Sequence, residues 1–92
     1  MLSVIIRVEL VGTPNGEVYD NLHAYMASKG LNKTITSDDR RQMDLPHGMY
    51  SGVTNLLLDT LAAELKNHIA SSIWTKPIVM VIGWQNWAIE LA

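Results

Sequence analysis

Residues 3–11 read SVIIRVELV, and this stretch decides the fold of the chain. One side of it is wholly apolar: Val4, Ile6, Val8 and Leu10. The other side is mixed: Ser3, Ile5, Arg7, Glu9 and Val11. This alternation and its β-branched content predict a strand with one face against a core and the other partly in water. We expect this strand to lie mid-sheet beneath two helices, with later segments pairing along both edges.

Length and composition are typical of one small globular domain, residues 1–92. A domain of this size buries roughly 60–65% of its unfolded surface, so we expect a homodimer that covers a sheet face or edge. The net charge of −2 lacks the basic excess that binds a phosphate backbone, so RNA is not the favoured partner. No apolar run is long enough to span a bilayer, and we expect a cytoplasmic protein without membrane contact.

Two stretches of apolar residues at helical spacing predict helices. The first covers residues 17–29, with acidic residues in its first turn and a glycine placed to end it. The second reaches to about Ser72. Its start stays open, because Thr54 or Asn55 could cap a long helix whereas Asp59 could cap a shorter one.

The remaining apolar segments predict strands. Residues 31–37 alternate again and can form a hairpin with 42–45 across a charged loop, after which extended structure continues to about Tyr50. The continuously apolar run 78–82 predicts a buried strand. Beyond it, a tight turn at 83–87 could return the chain in a short final strand.

The order strand, helix, strand, strand, helix, strand is the split βαβ pattern. We therefore expect an α+β domain, a ferredoxin-like βαββαβ sandwich with two helices on one face of an antiparallel sheet and a possible extra C-terminal strand. The other face stays uncovered, and by analogy with such folds a dimer partner or RNA would dock there. Ile5 and Val11 give that face an apolar character that suits burial against another chain.

Four stretches resemble a group of small bacterial and mobile-element proteins: IRVEL at 6–10, YDNLH at 19–23, KTITSDD at 33–39 and LPHGMY at 45–50. In layout the chain is more remotely similar to the type V antitoxin that cleaves its toxin's messenger RNA, and to the ferredoxin-like CRISPR adaptation nucleases. Those nucleases carry a metal-binding aspartate at the end of the first strand, whereas this chain has Leu10, Val11 and Gly12 there. The resemblance implies a phage or plasmid setting, such as an antitoxin or an inhibitor of a host defence complex.

The sequence predicts neither a metal nor a cofactor. The three histidines, His23, His47 and His68, lack the spacing of a metal pair, and cysteine is absent. We interpret His23 as a surface residue and His68 as a boundary residue. His47 follows Pro46 in a glycine-containing bend at a strand end, where a general base could be exposed.

Five residues are candidate partner contacts: Arg40, Arg41, Tyr50, Trp84 and Trp87. The two arginines lie at the predicted hairpin tip, which is either a solvated turn or a clamp for phosphate or carboxylate groups. Trp84 and Trp87 bracket the predicted last turn. They either pack against each other and stabilise that hairpin or anchor a protein partner. The second alternative is considered because tryptophan is common at binding hot spots.

Taken together, these patterns predict a small non-catalytic binding protein that acts through protein–protein contacts as a homodimer. The alternative is a metal-independent endoribonuclease of antitoxin type. In it His47 would be the base, Tyr50 would orient it, and Arg40 or Arg41 would stabilise the charge on the pentacovalent phosphate. A third interpretation, a purely structural subunit, would bury the open sheet face in a larger assembly.

Overall fold

A computed structural model describes residues 2–36 and 41–84 of the chain. Its elements in chain order are β1 (Leu2–Leu10), α1 (Gly16–Ser28), β2 (Thr34–Thr36), β3 (Gln42–Asp44), β4 (Met49–Thr54), α2 (Leu58–Ser72) and β5 (Pro77–Trp84). The tip of the predicted hairpin, the predicted final strand and the side chain of Trp84 lie outside the described residues. Neither described helix combines the length and apolar character needed to cross a bilayer.

β1 is the central strand of a three-stranded antiparallel sheet with the order β4-β1-β5. Ile6 lies opposite Tyr50 on β4 and opposite Val81 on β5, so the predicted mid-sheet position of the first strand is confirmed. The predicted hairpin of β2 and β3 is also confirmed, but it forms a separate two-stranded sheet. An isolated bridge from Asn32 to Ser51 joins its approach to β4. The α+β class holds, while the strand order differs from one continuous four-stranded ferredoxin-like sheet.

A turn, rather than continuous strand, joins β3 to β4, so the predicted extension to Tyr50 is wrong. Pro46 cannot donate to a ladder, and its carbonyl instead accepts from the Met49 N–H at 3.0 Å. Gly48 has φ +81°, and a Cβ there would lie 2.7 Å from the carbonyl oxygen of Val8. Only glycine tolerates both conditions at low cost. The resulting close approach to β1 positions the turn that carries His47.

The helix boundaries follow from local hydrogen bonding. Asn15 caps α1, because its side chain accepts from the Val18 N–H at 3.1 Å, and the predicted first helix is confirmed to within a residue. The second helix starts at Leu58, so none of the three candidate caps is used. The Thr54 hydroxyl instead accepts from the Leu56 N–H at 3.0 Å, which makes a turn that ends before the helix.

Both helices pack on one face of the sheet. The buried core contains the four predicted β1 residues together with side chains from α1, α2 and β4: Val4, Ile6, Val8, Leu10, Leu22, Met26, Tyr50, Leu61, Leu65 and Ile69. Of the β5 residues, Val79 and Val81 pack against this core. Burial of these alternating positions is what holds β1 and β5 beneath the helices.

The prediction that residues 78–82 form a buried strand is wrong on one face. Ile78, Met80 and Ile82 are 54%, 54% and 50% exposed, and Met80 is therefore not a core residue. A continuously apolar strand is buried on both faces only where other elements cover both faces of the sheet. Here the helices cover one face.

Candidate functional site

The uncovered side of the three-stranded sheet is the first candidate site, which we call the open face. Residues directly opposite in antiparallel strands share a face, so the register defines its members: Ser3, Ile5, Arg7, Glu9, Met49, Ser51, Val53, Ile78, Met80 and Ile82. Three β5 residues and Val53 of β4 are each at least half exposed. Contiguous exposed apolar side chains of this kind typically mark an interaction surface.

Two charges of opposite sign lie along the middle of the open face. Arg7 and Glu9 are two residues apart on β1, opposite Met80 and Ile78 respectively. The salt bridge found among the described residues lies away from this face. It joins Lys29, at the C-terminal end of α1, to Glu64 on α2 at 2.9 Å. The open face therefore combines an apolar stripe with a charge pair set along its central strand.

A pocket of about 340 Å³ is the second candidate site, and it lies where α1, the approach to β2 and the β3–β4 turn meet. The described residues that line it are His23, Lys33, Asp44, Leu45, Pro46, His47 and Gly48. Its polar side chains come from separate elements, so only the tertiary fold brings them together. No group of three or more His, Asp or Glu side chains in ranges 2–36 and 41–84 is arranged to hold a metal.

A partly buried hydrogen bond orients one histidine of the pocket. The Tyr50 hydroxyl lies 2.6 Å from His23 Nδ1, and the Tyr50 side chain is wholly buried. We assign the hydroxyl as the donor and Nδ1 as the acceptor, because in the described part of the chain the buried hydroxyl hydrogen has no other acceptor. The neutral His23 ring then carries its own hydrogen on Nε2, where it can donate to a ligand.

Burial keeps both members of this pair neutral. Desolvation raises the pKa of Tyr50 to about 12, with a further contribution from Tyr19. Desolvation also lowers the pKa of His23 below its ordinary 6.5, and the charges of Lys33 and His47 lower it further. The carboxylate of Asp20 opposes this shift. At pH 7 the pair is therefore an uncharged donor–acceptor unit.

His47 stands next to this pair at the rim of the pocket. It is exposed, and its ring meets Tyr19 edge-on with centroids 4.5 Å apart. The rings of His23 and His47 are 6.4 Å apart. Tyr19 and His23 lie one helical turn apart on α1, which is why one helix face meets both the β3–β4 turn and Tyr50.

The predicted site residues lie in different parts of the structure. His47 and Tyr50 come close together, but the hydroxyl of Tyr50 bonds His23 rather than His47. Arg41 is exposed just before β3. Trp84 is placed in β5 opposite Ser3 by its backbone. Two of the predicted contacts, Arg40 and Trp87, lie outside the described residues.

Two features of the pocket were missed from the sequence. The interpretation of His23 as a surface residue is wrong, because its ring is half-buried against Tyr50. The four-residue spacing of Tyr19 and His23 on a stretch predicted to be helical indicates that both side chains lie on the same face of the helix. The second feature is Lys33, which lines the same pocket. His68 is an exposed residue on α2 whose ring stacks on Tyr25 at 3.9 Å, as suits a boundary histidine.

Comparison with known proteins adds no assignment: no protein-family model matches the chain, and none of the curated proteins matches it significantly.

Proposed function

We propose that this chain is a small protein-binding module that acts as a homodimer through its open face. The observation that carries the proposal is the row Ile78, Met80 and Ile82, each half exposed on one face of a sheet whose other face is packed. Covering such a row removes apolar area from water, and a second copy of the chain presents the same row.

Charge favours a second copy as the occupant. In a face-to-face dimer with the two β1 strands antiparallel about a two-fold axis, Arg7 of one copy lies near Glu9 of the other, twice by symmetry. Like charges would meet if the strands ran in the parallel orientation. The spacing of the two charges therefore selects one self-complementary arrangement.

The mass in solution tests the dimer. We expect light scattering after gel filtration to give twice the mass of one 10.3 kDa chain. Burying the exposed half of Met80 contributes roughly 1 kcal/mol per copy, so Met80→Ser should raise the dimer Kd about 30-fold. Leu57→Ser is the matched control, since Leu57 is 74% exposed at the start of α2, away from the open face. A monomeric wild type, or equal effects of the two variants, would reject the open face as the contact.

A charge swap tests the orientation. Arg7→Glu places two like charges on β1 and should weaken the dimer. The double variant Arg7→Glu with Glu9→Arg restores opposite signs and should recover most of the affinity. If the double variant is as weak as the single one, the antiparallel arrangement is wrong even when the open face is still the contact.

The chain is best described as a variant of the ferredoxin-like sandwich, and the bridge from Asn32 to Ser51 supports this by bringing the segment before β2 beside β4. The resemblance of its short motifs supports a phage or plasmid setting in the cytoplasm, with a toxin or a host defence complex as the further partner. Identification of the protein that co-purifies from the native host tests this setting.

A second candidate function, the metal-independent endoribonuclease, is favoured by the approach of His47 to the His23–Tyr50 pair. Neighbouring imidazoles can exchange protons with a substrate without a metal. Mixed RNA incubated with the protein in EDTA decides between the two functions. Cleavage that is lost in His47→Ala supports the enzyme, whereas intact RNA with both proteins removes it.

A further inference from the structure

The pocket beside α1 presents hydrogen-bond donors from three places in the chain. His23 contributes its Nε2–H from α1, Lys33 contributes an ammonium group from the segment before β2, and His47 lies in the β3–β4 turn. The one carboxylate among the described lining residues is Asp44. Among the described lining residues, three side chains that can donate to an anion face one carboxylate, and donor side chains of this kind are what an oxyanion requires.

We propose that this pocket binds the phosphate group of a small phosphate monoester, held by Lys33 and His23. His47 lies beside the phosphate at the rim, and Asp44 accepts a hydrogen bond from a hydroxyl group on the remainder of the ligand. The volume of about 340 Å³ is at the small end of the range for ligand pockets, roughly 300–1,000 Å³, which suits a single small molecule. The assignment is independent of the open face and of dimerisation.

The buried Tyr50 hydroxyl prepares His23 for this role. Because Tyr50 occupies Nδ1, the neutral ring offers an N–H at Nε2 rather than a lone pair. A ring held in one tautomer by a wholly buried partner loses little freedom when it binds a ligand. Tyr50 is thus a positioning residue that acts through His23.

The charges around His23 also favour an anion. Lys33 and His47 both make the surroundings of the ring more positive, and their charges lower its pKa. Of the described residues that affect His23, Asp20 is the one that acts in the opposite direction. A bound phosphate would add negative charge next to Nε2 and raise the pKa of His23, which is a directly measurable consequence.

Proton NMR of the imidazole rings tests the site, with inorganic phosphate and glycerol phosphate as the probes. We expect saturable shifts of the His23 and His47 signals and none of His68, which lies on α2 outside the pocket. Nitrogen-15 spectra should show the hydrogen of neutral His23 on Nε2, and in Tyr50→Phe that preference should weaken. Shifts that do not saturate, or that are equal in all three rings, would overturn the proposal.

Lysine variants provide a second test of the phosphate site. Lys33→Ala should weaken phosphate binding about 10- to 100-fold, the effect of losing a charge-assisted hydrogen bond. Lys66→Ala, an exposed lysine on α2, should leave the affinity unchanged. Because the Lys33 side chain is exposed, this variant keeps the fold and gives a result even where His23→Gln does not fold. Unchanged affinity in Lys33→Ala would overturn the site.

A competition experiment distinguishes a phosphate monoester from the phosphodiesters of a nucleic acid. A short RNA without a terminal phosphate should compete weakly with glycerol phosphate, because its phosphodiesters carry one charge each and lack the dianion of a monoester. Competition by that RNA at equal or lower concentration would overturn the monoester assignment in favour of a nucleic-acid backbone.

Discussion

Replacing Tyr50 with phenylalanine removes one oxygen from a fully buried side chain and leaves the packing of its ring in place. The hydroxyl makes one hydrogen bond, 2.6 Å long, to His23 Nδ1. A neutral hydrogen bond contributes about 1 kcal/mol net, so the free energy of unfolding at pH 7 should fall by that amount. In a domain of this size the loss corresponds to roughly 4–8 °C in Tm.

The pH dependence makes this prediction specific to Tyr50. The tyrosine titrates near 10.0 in the unfolded chain, but burial raises its pKa to about 12 in the fold. A raised tyrosine pKa means that the unfolded state loses its proton first, so wild-type stability falls between pH 10 and 12 by at most about 1.4 kcal/mol per pH unit. The phenylalanine variant lacks this loss. The two proteins should therefore reach equal stability by about pH 11.

Urea unfolding of both proteins at pH 7, 9, 10 and 11 measures the difference directly. All other titrating groups are common to the two chains and cancel in the comparison. The difference between the ultraviolet tyrosinate titrations of the two folded proteins gives the pKa of Tyr50 independently. A stability gap that stays constant from pH 7 to pH 11 would refute the argument that the hydroxyl is buried and neutral.

Three further predictions concern stability. The pKa of His23 is lowered in the fold, so the unfolded state takes up the proton first and stability is lost as pH falls below 6.5. In urea unfolding, His23→Gln should therefore lose less stability than wild type between pH 7 and pH 5. Gly48→Ala should lower the free energy of unfolding by about 2 kcal/mol or more in thermal unfolding, because φ is +81° and the new Cβ meets a β1 carbonyl. The control is Gly16→Ala at the start of α1, where the new Cβ meets nothing, and this variant should be neutral or stabilising. Glu64→Gln should lower Tm by no more than roughly 2–4 °C, since its ion pair to Lys29 is exposed and worth at most about 0.5 kcal/mol.

Local sequence patterns predicted the elements in which one face is packed against the core along the whole length and the other is not. The alternation in residues 3–11 predicted β1, and helical spacing with nearby capping residues predicted α1. The mixed region after β3 was predicted less well. There the decisive quantity is the approach of Gly48 to Val8, forty residues away in sequence, and no short window of sequence contains that contact.

The candidate sites show the same division. His47 could be singled out from its bend beside Pro46, and Tyr50 from its place two residues beyond that glycine turn. Their relation to His23 could not, because it requires α1 to pack over the end of β4. Sequence spacing alone assigned Tyr50 to orient His47, whereas packing directs its hydroxyl to a different ring.

By itself the sequence determined an α+β chain with a central first strand, since residue alternation and helical periodicity are short-range properties of the backbone. Only the tertiary structure decided which face of β5 is left exposed and which titratable side chains share a pocket. Burial and long-range contacts depend on what lies across the sheet, and an apolar residue such as Ile82 has the same identity whether a helix covers it or not.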